Sequence, residues 1–163
     1  MGAALSAPVI NDVSTSVADP PVHTKSSHPA VLSDRVKEAI EKHYSHIQPL
    51  RVSGRDAATV FAATKTAASS LPRASIVHED AAAGVLELLD VTALARFKDD
   101  VAVRVRQSGN DVVVDVRSAS RVGKGDLGAN AARIQKYLAA VQAELADAPA
   151  AATQAAPAAP GKL

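Results

Sequence analysis

The stretch Asp99-Asp-Val-Ala-Val-Arg-Val-Arg-Gln-Ser-Gly-Asn-Asp-Val-Val-Val-Asp-Val-Arg-Ser-Ala-Ser-Arg-Val-Gly-Lys-Gly-Asp-Leu-Gly-Ala-Asn130 decides the fold. Val101, Val103 and Val105 alternate with Ala102, Arg104 and Arg106, and Val112, Val114 and Val116 alternate with Val113, Asp115 and Arg117. A period of two in β-branched residues predicts two half-buried strands. Gly109-Asn110 between them suits a two-residue hairpin turn, because both residues tolerate positive φ. Folding there sets Val105 against Val114, Val103 against Val116 and Arg104 against Asp115. A slip of one residue would mix the two faces, so the pattern itself pins the register.

The valine face needs a cover. Leu127, Ala131, Ile134, Leu138, Val141 and Leu145 recur at helical spacing and predict a long C-terminal amphipathic helix, with Asp126 as N-cap and Pro149 beyond its end.

Working outward, Ser33 caps an expected helix from Asp34 to about Ser45, with Val36, Ile40 and Tyr44 on one side. Ile47 to Val52 reads as an edge strand, and Ser53 with Asp56 as the ends of a capping box. The helix that follows turns Ala57, Val60, Phe61, Thr64, Ala68 and Leu71 inward and stops at Pro72. Ala74–His78 and Val85 to about Leu94 are strands around a turn at Glu79–Gly84, and Phe97–Asp100 turns into the hairpin. The expected fold is α+β: an antiparallel sheet of about four to five strands packed on one face by helices, with a long C-terminal helix and an extended N-terminal arm. Residues 1–31 form the arm, held extended by its prolines and laid on the domain by Val9, Ile10, Val13 and Val17; residues 32–147 are the domain; residues 148–163 are an Ala/Pro-rich tail expected to be disordered.

The chain has 163 residues, a net charge of +1 and no cysteine. Disulfides and thiolate metal sites are excluded, and no bulk field recruits nucleic acid. No apolar run is long enough to span a bilayer. The N-terminus lacks the basic region and apolar core of a secretory signal, so an intracellular or organellar location, peripheral to a membrane, is expected. Met1-Gly-Ala-Ala-Leu-Ser6 fits the N-myristoylation pattern with Gly2 as acceptor, but the pattern is permissive and a start codon followed by small residues is the favoured reading.

Candidate chemistry gathers after the hairpin. Arg104, Arg106, Arg117, Arg121 and Lys124 could converge near the strand-to-helix turn, where guanidinium groups and helix-start N–H groups suit a phosphate or carboxylate. Ser118, Ser120, Asp126 and Asn130 complete the set. The alternative is a lattice of cross-strand ion pairs, Arg104 with Asp115 first, on a solvated or partner-covered face. Gly123-Lys-Gly-Asp-Leu-Gly128 spells a G-x-G-x-x-G, but it follows an antiparallel hairpin, no parallel strand comes after it, and Asp126 would oppose a pyrophosphate; it reads as a tight turn. His43 and His46 lack a third ligand, and Asp99-Asp100 is explained by turn chemistry as well as by a cation shared with Asp126. No nucleophile sits beside a base, and neither a cofactor nor a metal is expected.

The runs Ile10–Thr15 with Asp19–Pro21, Phe97–Asp100, and Asp115–Gly123 continuing through Asp126–Asn130 to Arg133-Ile134 resemble a family catalogued as domain of unknown function 1499, found in bacteria and in plants and algae. The resemblance spans about residues 9–145 and implies that the arm belongs to the domain; it brings no activity, cofactor or catalytic residue. Many such relatives look membrane-attached or exported. This chain departs from the pattern at Lys124-Gly125, where a basic residue followed by serine is expected.

Two functions are expected from different classes. One is a non-catalytic accessory module that docks, through the Arg/Asp face or the arm, on other protein subunits of a larger, membrane-bound assembly. The other is a small-molecule domain that binds an anion at the turn 117–128, with weak hydrolytic chemistry.

Overall fold

The computed structural model describes residues 6–148. The expectations for Gly2 and for the tail beyond Ala148 lie outside them. Six strands, β1 (Asp12–Ser14), β2 (Leu50–Ser53), β3 (Ala74–Asp80), β4 (Val85–Val91), β5 (Lys98–Ser108) and β6 (Asp111–Ser120), form one antiparallel sheet with α1 (Asp34–His43), α2 (Ala57–Ala67) and α3 (Ala129–Asp147). The order is β1-β6-β5-β4-β3, and β2 also pairs with β6. β1 lies against residues 117–119 of β6 and β2 against residues 111–114, so the two short strands share one edge of β6. The sheet therefore has six strands and not four to five, because the arm contributes a strand of its own.

The hairpin has the register that the alternation predicts: Val103 opposes Val116, Arg104 opposes Asp115 and Val105 opposes Val114. The valines at 101, 103, 105, 112, 114 and 116 are buried with Ile134, Tyr137, Val141 and Leu145 of α3 and Val60 and Phe61 of α2. Each buried valine contributes about 1.5 kcal/mol. Tyr137 donates its hydroxyl to the Thr64 carbonyl at 2.7 Å and so ties α3 to α2.

Several boundaries differ from the sequence reading for local reasons. Asp99 and Asp100 are strand residues, buried and ion-paired, where a turn was expected. β3 runs on to Asp80 and β4 stops at Val91. Asp56, not Ser53, is the N-cap of α2, accepting from the Thr59 N–H at 2.7 Å, while Ser53 ends β2 and donates to Asp111. α3 starts after Leu127: Asp126 accepts from the N–H groups of Gly128 and Asn130, and left-handed Gly128 takes the N-cap position. Leu127 thus leaves the apolar stripe for solvent.

The turn before β4 depends on Gly84. Its φ is +69°, and a Cβ there would lie 2.1 Å from the Val105 carbonyl oxygen, a backbone atom with no freedom to yield. Gly84→Ala is expected to cost about 2–3 kcal/mol by denaturant unfolding, against about 1 kcal/mol for Gly109→Ala, where only the positive φ is violated. Equal losses at the two sites would refute the close-approach argument.

Candidate functional site

The face of the sheet opposite the helices carries Glu87, Asp100, Ala102, Arg104, Asp115, Arg117 and Ala119, by the register of β1, β4, β5 and β6. A sheet face of this polarity would ordinarily be solvated. Here the chain's own arm crosses it. Proline at 20, 21 and 29 keeps the segment extended. The Glu87 carboxylate accepts from the backbone N–H groups of Thr24 and Lys25 and from the Thr24 hydroxyl. Arg117 is fully buried, donating to Asp12 at 2.7 and 2.9 Å and to the Pro21 carbonyl. Asp115, also buried, takes Arg104 at 2.9 Å and Arg106 at 2.8 Å on one oxygen, and Arg104 reaches on to Asp19. Arg104, Asp115 and Arg117 therefore form an internal ion-pair lattice, and Arg117 does not meet Arg121 or Lys124 in a common site.

A second network lies on the helix face, where β6 ends and α3 begins. Arg133 donates to Asp90 at 2.8 Å, Asp99 at 2.6 Å, Ser118 at 3.0 Å and Asn130 at 2.8 Å. The Asn130 side-chain amide donates to Ser120 at 2.9 Å and Asp126 at 2.6 Å, and the Ser118 hydroxyl donates to Asn130 Oδ1 at 2.6 Å. Ser118, Asp126 and Asn130 thus have structural work here: they bind the first turn of α3 to the sheet.

What remains open is a cleft of about 460 Å³ between arm residues 25–29 and the end of β6. Lys25, Ser26, Ser27, His28, Ser120 and Arg121 line it. Two of these residues are tied to buried Asp100, which accepts from Arg121 at 2.8 Å on each oxygen and from His28 Nε2 at 2.9 Å. Burial by itself pushes the Asp100 carboxyl up; the hydrogen bonds from Arg121 and His28 outweigh it and hold the group below the usual carboxylate range. His23 lies behind His28, ring centroids 4.8 Å apart, buried with neither nitrogen hydrogen-bonded. Burial, then the charges of Arg117 and His28, lower its pKa to about 4. The Ser26 hydroxyl is likewise buried without a protein partner.

Beside the cleft, the segment 121–128 and the loop between β4 and β5 border a smaller hollow of about 240 Å³, lined by Phe97, Val122, Gly125 and Leu127 among others. The glycine-rich run is a tight turn, with Gly123 and Gly128 at positive φ. Lys124 is exposed on it. Among the described residues no three His, Asp or Glu side chains form a metal-holding group; the His46 ring stands edge-on to Tyr44.

Of the residues singled out from sequence, the structure brings Ser120 and Arg121 to the cleft and uses Arg104, Asp115, Arg117, Ser118, Asp126 and Asn130 as internal ties. Lys25 and His28, which also line the cleft, were not singled out from sequence, and Asp100 was weighed only as a cation ligand beside Asp99. The only local signal for the histidines was their occurrence at 23 and 28 in an arm otherwise rich in Pro, Ser and Thr.

A family model described as "Protein of unknown function (DUF1499)" matches residues 12–141. No curated protein matches the chain.

Proposed function

The chain belongs to the DUF1499 family, a description that assigns no chemistry, and from that premise we propose that it is a non-catalytic binding module that holds an anionic group, phosphate or carboxylate, in the cleft between the arm and Arg121. The observation that carries this reading is the lining. Lys25 and Arg121 supply two cationic groups, Asp100, ion-paired to Arg121, offsets one, and Ser26, Ser27 and Ser120 add hydroxyl groups. A guanidinium already fixed by a buried carboxylate is preorganised, so little entropy is lost when its remaining N–H groups meet a ligand. The reading has no hydrolytic step: His28 Nε2 is engaged by Asp100, and Ser120 accepts from Asn130. Docking of a protein assembly on the Arg/Asp face is disfavoured, because the arm lies over it.

The test is thermal unfolding of the full chain in millimolar phosphate or citrate against sodium chloride of equal ionic strength. Phosphate or citrate should stabilise the protein, by about 2.7 kcal/mol at a hundredfold excess over Kd. Lys25 is exposed, and its ammonium has no ion-pair partner among the described residues. Lys25→Ala should therefore melt like the wild type without ligand and bind about tenfold more weakly. A wild type that gains no more from phosphate or citrate than from chloride refutes the reading, and so does a Lys25→Ala variant that responds in full.

A further inference from the structure

Five large apolar side chains stand exposed at the end of the sheet next to the cleft. Leu94 is 99 % exposed, Leu127 93 %, Val9 66 %, Val122 61 % and Phe97 50 %. They come from three separate segments. Phe97, Val122 and Leu127 border one hollow. Val9 packs at Gly125, where a Cβ would meet its side chain at 3.3 Å. Leu94 projects from the loop that Thr92 and Phe97 close with hydrogen bonds in both directions. Scattered apolar residues on a surface are ordinary, but a contiguous set on neighbouring loop tips marks a contact surface.

The backbone points the same way. Among the described residues only Arg96, at φ +52°, and Leu127, at φ +54°, are non-glycine residues at positive φ, and both lie in these two segments. Left-handed backbone disfavours leucine, and strain of this kind persists where the surrounding structure over-determines it. At Leu127 it presents an aliphatic side chain to water, with no gain in packing to offset it.

The charges select the partner. Arg96, Lys98 and Lys124 are exposed on or beside the same two segments. The acids there are Asp99 and Asp100, buried in ion pairs, and Asp126, bonded to Gly128 and Asn130. Protruding apolar tips within a cationic collar match an anionic bilayer, whose headgroups attract the collar while the tips enter the acyl boundary. Residues 7–10 lie at this end as well: Asp126 donates its N–H to the Ile10 carbonyl at 3.0 Å, and the Ala7 Cβ lies 3.9 Å from where a Cβ on Gly128 would be.

We infer that this end of the molecule, the tips of residues 92–97 and 121–127 with Val9, docks on an anionic lipid bilayer. The inference is independent of the anion cleft. The test is co-sedimentation of the full, unacylated chain with vesicles of phosphatidylcholine alone or with phosphatidylserine. Binding is expected only to the serine-containing vesicles and should weaken with salt. Leu94→Asn with Leu127→Asn should reduce it about tenfold or more, and Arg96→Gln with Lys124→Gln should reduce it as well. Asparagine tolerates positive φ, so the Leu127→Asn change should raise the melting temperature, which separates lost binding from lost folding. Lys25→Ala and added inorganic phosphate should leave vesicle binding intact, so that the bilayer and the cleft stand or fall separately. Failure to bind serine-containing vesicles overturns the inference. So does undiminished binding by the leucine variant, or a self-association that the same leucines control without lipid.

Discussion

Replacement of Arg133 by methionine is expected to destabilise the protein by about 3–5 kcal/mol at neutral pH, the cost of stripping a buried ion pair of one partner. Methionine keeps much of the aliphatic length but leaves Asp90 and Asp99 without the guanidinium that bonds both, at 2.8 and 2.6 Å. The two carboxylates oppose each other directly on β4 and β5, and both are buried. Without the arginine they form an uncompensated like-charge pair in a dry site. Asp90→Asn in the same background removes one of the two charges and should restore part of the deficit. Urea unfolding at neutral pH is the measurement. A loss under about 1 kcal/mol would show that the network contributes little.

Acid is expected to act through His23. Its pKa is lowered to about 4 in the folded protein, against 6.5 for the free side chain. The unfolded chain therefore binds the extra proton first, and the contribution of this group falls as pH drops from about 6.5 to 4. The difference corresponds to about 3 kcal/mol at the lower end. Arg117 and His28 oppose the new charge, while Asp12 and Asp100 offset only part of the cost. His23→Phe should flatten stability across that window and cost little at pH 7, because neither ring nitrogen has a partner to lose. Loss driven by Asp100 belongs to lower pH, since that carboxyl is held below the usual carboxylate range. A wild type and a His23→Phe variant with parallel stability curves from pH 7 to pH 4 would rule out His23 as the acid-sensitive group.

The parts of this structure that could be read in advance are those where sequence neighbours are spatial neighbours. Val103 with Val116 and Arg104 with Asp115 follow from one turn and a period of two. Ser33 caps α1 because capping is settled within four residues. Partners far apart in the chain left no such trace. Asp12 meets Arg117 across 105 positions and Asp90 meets Arg133 across 43, and a lone aspartate or arginine carries no mark of burial. The cleft suffered for the same reason, since its two walls lie at opposite ends of the domain. Leu127 misled differently: it falls in phase with Ala131 and Ile134, and periodicity is blind to the Asp126 hydrogen bonds that start the helix two residues later.

β1 has a bearing on the order of events during synthesis. A ribosome makes Asp12–Ser14 long before residues 117–119, the segment they hydrogen-bond to. Until β6 has emerged, the arm has no sheet edge to join, and Arg117, once made, waits for Asp12 to dock. Contacts that span so much chain form slowly, because loop closure is paid before any reward. The last piece to lock is thus among the first to be translated, and for that interval the arginine-bearing face of the nascent hairpin is open to whatever else is in the tunnel's vicinity.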